Sequence, residues 1–191
     1  MSGLTVQDHL YRILLANEKD STYALARSVF GNTASAVKKM NEVTMDICGT
    51  YPTFGDIYGE ISGSFLITDL AKLIDAMLAE PLLNKIWHAA SYTVPTTQEI
   101  VPSRNALLPE NPLGRTHVTP DSRVTGGLTS VSGDYADMAV TAEYQGKRVL
   151  CILTGALRIT HPYGDDPNSY SVVDYWGNYE ETEKLLNIAF G

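Results

Sequence analysis

A serine hydroxyl and a lysine amine stand one helical turn apart in Ser35-Ala36-Val37-Lys38. In that spelling an amine can serve as base to an attacking oxygen. The surrounding pattern is helical, and the pair reads as solvent-facing. Two other stretches gather polar groups: Asn17-Glu18-Lys19-Asp20, in a break between helical patterns, and Gly126-Gly127-Leu128-Thr129-Ser130, on a strand pattern. Lys19 offers a base or a carboxylate-binding cation, against the plainer reading of an exposed loop lysine. His9, His88, His117 and His161 are scattered and show no metal-ligand spacing, so no metal or cofactor is expected. His9 lies on a helix beside the break and reads as a surface residue. Cys48 and Cys151 read as small buried hydrophobes, with their pairing left open. Glu180 and Glu181 read as acids of a helix's first turn, where they favour the macrodipole. Tyr170, Tyr175, Trp176 and Tyr179 have the faces to stack on a ligand, but packing under a long loop is the commoner reason for such a group.

The elements that would position these groups follow from local pattern. Thr5-Val6-Gln7-Asp8 reads as a capping box opening a helix to about Ala16. Asp20 or Ser21 caps a second helix that stops at Gly31, and a third runs from about Ala34 to Ile47 before Gly49. Residues 50–63 read as loop. Leu70, Leu73, Ile74 and Met77 form the apolar face of a further helix, and Pro81 opens a short one. Ser91–Val94 and Gln98–Val101 predict a small hairpin. Val124–Thr129, Asp137–Tyr144 and Lys147–Thr154 predict strands, the last two joined by a tight Gln145-Gly146 turn. A polar loop with His161 follows, then a helix over Glu180–Phe190. The result is an α+β chain.

Composition supports a packed core: 44% of the 191 residues are hydrophobic and 19% charged. The net charge of −8 argues against nucleic acid and anionic membrane surfaces as partners. No apolar run is long enough to span a membrane.

Four blocks in order resemble the serine D-alanyl-D-alanine carboxypeptidases, penicillin-binding proteins that share their fold with the serine β-lactamases. They are Leu4–Leu15 with Ala24-Leu25-Ala26 and Lys39-Met40-Asn41-Glu42; Thr68-Asp69-Leu70-Ala71 through Tyr92-Thr93-Val94-Pro95; Asn105-Ala106-Leu107-Leu108 with Val124-Thr125-Gly126-Gly127; and Gly146–Val149 through Gly155-Ala156, closed by Glu183-Lys184-Leu185-Leu186. The resemblance implies one partial domain over residues 1–191, a helical cluster on a short antiparallel sheet with a C-terminal helix. The family's N-terminal strands and nucleophile helix are then missing from this chain.

The family's chemistry uses Ser-x-x-Lys, Ser-x-Asn and Lys-Thr-Gly motifs. The first is expected upstream of Thr5, where only Met1-Ser2-Gly3-Leu4 stands, and Ser35 falls too late to fill it. Asn17 takes the serine position of the second and Lys19 its asparagine position, so no hydroxyl is left at the motif to relay a proton. Leu128 replaces the lysine of the third, Thr129 keeps a hydroxyl and Ser130 replaces the glycine. A register shifted to Val124-Thr125-Gly126 also lacks the lysine. No catalytic motif is intact, and Lys19, Thr129 and Ser130 remain as ligand-cleft residues.

The resemblance implies a protein of peptidoglycan metabolism, placed outside the cytoplasm if a signal peptide precedes this chain. The leading expectation is an inactive relative that binds a peptidoglycan stem peptide or a protein partner. The alternatives are an active carboxypeptidase whose nucleophile segment lies outside the chain, and an assembly module. Without upstream strands, residues 147–154 form an apolar open edge, expected to take a complementing strand or a second copy in a homodimer.

Overall fold

The computed structural model describes residues 3–50, 53–113, 118–157 and 176–191. The chain divides into two compact units, residues 1–101 and 102–191.

The first unit is mainly helical. Its opening helix, α1 (Val6–Ala16), begins at the expected capping box: Thr5 Oγ1 accepts from the Asp8 N–H, and the Asp8 carboxylate accepts from the Thr5 N–H. Asn17 ends the helix in the left-handed region, at φ 54°. That single left-handed residue lets the chain restart almost at once as α2 (Lys19–Phe30). Its N-cap is Glu18, not Asp20 or Ser21, because the Thr22 N–H already closes the first turn onto Glu18 O. Asn32 caps α3 (Thr33–Cys48), and Gly49 closes it with φ 72°.

In the following loop the Asn41 side chain holds the backbone of Phe54 through both its amide oxygen and its amide nitrogen. Then come α4 (Ile67–Ala79) and α5 (Pro81–Trp87), the latter with Pro81 in its first turn as expected. Strands β1 (Ser91–Thr93) and β2 (Ile100–Pro102) form the small hairpin. Tyr11, Leu15, Ile86, Val94 and Val101 make the core of this unit.

Two ties fix α1 to the hairpin. The Tyr11 and Tyr92 rings stack with centroids 3.8 Å apart, and the Tyr92 hydroxyl donates to Asp8 Oδ1 at 2.6 Å. Asp8, 1% exposed, therefore caps its own helix and anchors a residue 84 positions away.

The second unit is a three-stranded antiparallel sheet in the order β3 (Val124–Ser132), β4 (Tyr135–Tyr144), β5 (Lys147–Leu157), with α6 (Trp176–Phe190) packed on β4 and β5. Both turns have two residues. Gln145 and Gly146 carry φ of 50° and 79°, the positive values a type I′ turn demands. Met138, Val140 and Ala142 of β4 meet Tyr179 and Leu186 of α6, along with Leu107 and Leu108 from the preceding turns. Because α6 starts at Trp176, Glu180 and Glu181 lie beyond its first turn and the macrodipole reading of them is corrected. Cys151 is only half-buried, since it lies on the sheet's edge strand, while Cys48 is buried; both are free thiols. No described helix is long and apolar enough to cross a membrane.

Candidate functional site

The break between α1 and α2 carries the first set of candidates. Asn17 is exposed and spends its backbone on the turn: its N–H donates to Ile13 O. Lys19 is exposed, with Nζ 5.2 Å from the centre of the Tyr58 ring, so its charge rests on an aromatic face.

A hydroxyl outside these positions lies two residues after Lys19, on Ser21. Ser21, 2% exposed, donates to Glu18 Oε2 and lies 3.0 Å from His9 Nδ1. Glu18 is also held through Oε1 by Arg12 at 3.0 Å, and Arg12 reaches Glu99 on the hairpin side of the unit. His9 is thus no plain surface residue. Its ring is part of the polar seam that joins α1 to α2. The missed signal was the spacing: His9 and Ser21 stand on facing helices joined by a two-residue break, and Ser21 is three residues after Glu18. Ser21 and Lys19 stand two apart on one helix, a separation that puts them on different sides.

Neither Ser35 nor Lys38 joins this set. Both are exposed on α3, and Lys38 pairs with Glu42 at 3.8 Å. His88 is exposed with Nδ1 2.8 Å from Asn84 O. His117, His161, Tyr170 and Tyr175 lie outside the described residues. Tyr179 is a core residue whose hydroxyl donates to Arg104 O at 2.7 Å, as the packing reading expected.

The second set lies on β3. Gly127, at φ 145°, sits where an added Cβ would come 2.4 Å from Ala139 O and 2.7 Å from Val140 Cγ1. Leu128 is half-buried and brings no charge. Thr129 is buried, its hydroxyl donating to Asp137 O at 2.8 Å and accepting from Asn178 Nδ2 of α6 at 2.9 Å. Sheet and helix are thereby linked through the Thr129 hydroxyl.

Ser130 is exposed and donates to Asp137 Oδ2 at 3.1 Å; Asp137 Oδ1 accepts from the Gly155 N–H at 2.8 Å. So a carboxylate stands across from Ser130, held by neutral donors, on the same side of the sheet as Ser130. A strand suited to a ligand carboxylate would present a cation and free hydroxyls. β3 presents an apolar side chain and a hydroxyl tied inward, with the Asp137 carboxylate of β4 beside them.

The architecture of these elements resembles that of solved penicillin-binding proteins and D-alanyl-D-alanine carboxypeptidases. The solved structures it resembles include a D-alanyl-D-alanine carboxypeptidase from Mycobacterium tuberculosis H37Rv, at TM-score 0.68 and 20% identity, over 98% of this chain and 66% of that one. Penicillin-binding protein D2 from Listeria monocytogenes, in its ampicillin-bound form, gives TM-score 0.72 and 20% identity over 98% and 68%. The D-alanyl-D-alanine carboxypeptidase DacD from Francisella tularensis gives 0.71 and 15% over 98% and 52%. These likenesses establish the α+β fold. The chain spans from about half to about two thirds of the length of the solved chains it resembles. It matches no family model and no curated protein sequence.

Proposed function

We propose that this chain is part of a D-alanyl-D-alanine carboxypeptidase-like protein of peptidoglycan metabolism that no longer turns over substrate and binds a cell-wall stem peptide or a protein partner. Residues 1–191 are read as one partial domain of that protein. The observation that carries the reading is the composition of β3. Leu128 stands where the resemblance calls for lysine, and the neighbouring Ser130 hydroxyl is given to Asp137. A substrate's terminal carboxylate would meet a negative charge there in place of a positive one, and like charges repel.

The motif break supports the same reading. Asn17 is a turn former, and the buried Ser21 hydroxyl already serves Glu18 and His9. Fold neighbours are D-alanyl-D-alanine carboxypeptidases by name, which supports a place outside the cytoplasm if a signal peptide precedes this chain.

A fluorescent penicillin tests this. Incubated with this chain and with its full-length parent, it is expected to leave no covalently labelled band on a denaturing gel. A labelled parent would support the alternative, an active serine carboxypeptidase whose nucleophile lies outside this chain.

A second reading rests on the sheet's edge. β5 pairs with β4 on one side, and no described strand lies on the other. Val149, Leu150, Cys151, Ile152 and Leu153 along it are half-buried. An eleven-residue edge of this kind invites pairing by a complementing strand or a second copy. Light scattering on the purified chain is expected to give a mass above that of the 20.9 kDa monomer. Substituting Ile152 by proline, which removes an N–H and disfavours strand pairing, should reduce that mass. A clean monomer for the unsubstituted chain removes the assembly reading.

A further inference from the structure

The Glu18–Ser21–His9 contacts have a direction that the donors and acceptors dictate. Glu18, ion-paired with Arg12, is a carboxylate and offers only acceptors. The single Ser21 proton therefore goes to Glu18 Oε2. That leaves the Ser21 oxygen with lone pairs only, and His9 Nδ1, 3.0 Å away, must bring the proton to that contact.

A neutral imidazole has one N–H and one bare nitrogen, so a proton fixed on Nδ1 leaves Nε2 bare. Nε2 makes no hydrogen bond among the described residues, and the ring is half-buried.

The set contains the residue types of a hydrolase triad in the wrong order. In a triad the imidazole stands between carboxylate and hydroxyl, and the hydroxyl faces the substrate. Here the hydroxyl stands in the middle, is 2% exposed and has already given its proton away. It cannot attack. The end that faces outward is the base.

We propose that Glu18 and Ser21 act as positioning residues that set the tautomer of His9: whenever the ring is neutral its proton sits on Nδ1, and Nε2 is a preset acceptor for a ligand's N–H or O–H. The inference is independent of whether the protein turns over peptides. It assigns a hydrogen-bond-acceptor site to unit 1 that the carboxypeptidase motifs do not include.

Nitrogen-15 NMR of the imidazole rings tests it, with His9→Gln used to assign the His9 signals. At a pH where the ring is neutral, Nδ1 is expected to carry the shift of a protonated nitrogen and Nε2 that of a bare one. Glu18→Gln supplies an amide that can donate to Ser21; the Ser21 proton is then released to His9 Nδ1, and the ring is expected to switch to the Nε2–H form. Ser21→Ala should move the ring toward a mixture of the two forms. An Nε2–H ring in the unsubstituted protein overturns the proposal, with no need for either variant to fold. A ring unmoved by Glu18→Gln and Ser21→Ala in folded protein overturns it as well.

Discussion

Replacing Gly127 by alanine is expected to destabilise the sheet unit by about 3 kcal/mol or more, through backbone strain and a clash that cannot relax. The residue holds φ 145°, which L side chains rarely adopt, and the new methyl would lie 2.4 Å from Ala139 O. That oxygen belongs to the neighbouring strand's backbone, in register with Leu128, and cannot swing aside as a side-chain end can. Gly133→Ala is the control. It also replaces a glycine at positive φ, 58°, but meets nothing within 4 Å. It should cost only about 1 kcal/mol, the price of a left-handed L-residue. Urea unfolding followed by circular dichroism reads both. A Gly127→Ala midpoint no lower than that of Gly133→Ala means β3 does not approach β4 as described.

Asp8→Ala is expected to destabilise the helical unit by about 3 kcal/mol, since it removes a helix cap and leaves a buried hydroxyl without its acceptor. The same carboxylate makes stability depend on pH at both extremes. Burial alone would raise the Asp8 carboxyl, but hydrogen bonds from Tyr92 and from Thr5 outweigh it and hold the group below the usual carboxylate range. A depressed carboxyl stabilises above its unfolded value of about 4, and that contribution fades as pH falls through the lower folded value.

Tyr92 behaves oppositely. The hydrogen bond to Asp8, and then burial, push its hydroxyl up to about 12. Its contribution is complete below the unfolded value of about 10 and is lost as pH rises through the folded one. Tyr92→Phe should therefore flatten the alkaline limb of a stability–pH curve and keep the capping box. An unchanged alkaline limb would show that the Tyr92–Asp8 bond does not carry it.

The contrast between these two sites shows what local sequence reveals. The Thr5–Asp8 box, the Gly49 stop and the Gln145-Gly146 turn were legible because each is decided within a few residues by backbone geometry. The partners of the same groups were not. Tyr92 reaches Asp8 across 84 positions, and Asn178 reaches Thr129 across 49. Ser21 reads as a helix cap because serine favours caps, yet its hydroxyl finds a carboxylate and an imidazole on the facing seam. Helix α6 reads as starting near Glu180, which leaves Gly177 and Asn178 outside it. In the structure both are buried, and Asn178 ties the helix to the sheet. The four family-like blocks carried the fold. The spellings at Asn17 and Leu128, read against the family-like pattern, were visible in the sequence, but the anion beside Ser130 required the β3–β4 register.

That register bears on any attempt to build an anion-binding motif into β3. Asp137 pairs with Ser130, two places along the strand from Leu128 and on one side of the sheet with it. Diagonal neighbours of this kind lie about 7–8 Å apart, within reach of a long side chain. A lysine introduced at 128 would find a counter-ion already waiting and be neutralised by its own sheet, so making this an anion-binding strand takes at least two changes, with Asp137 removed alongside.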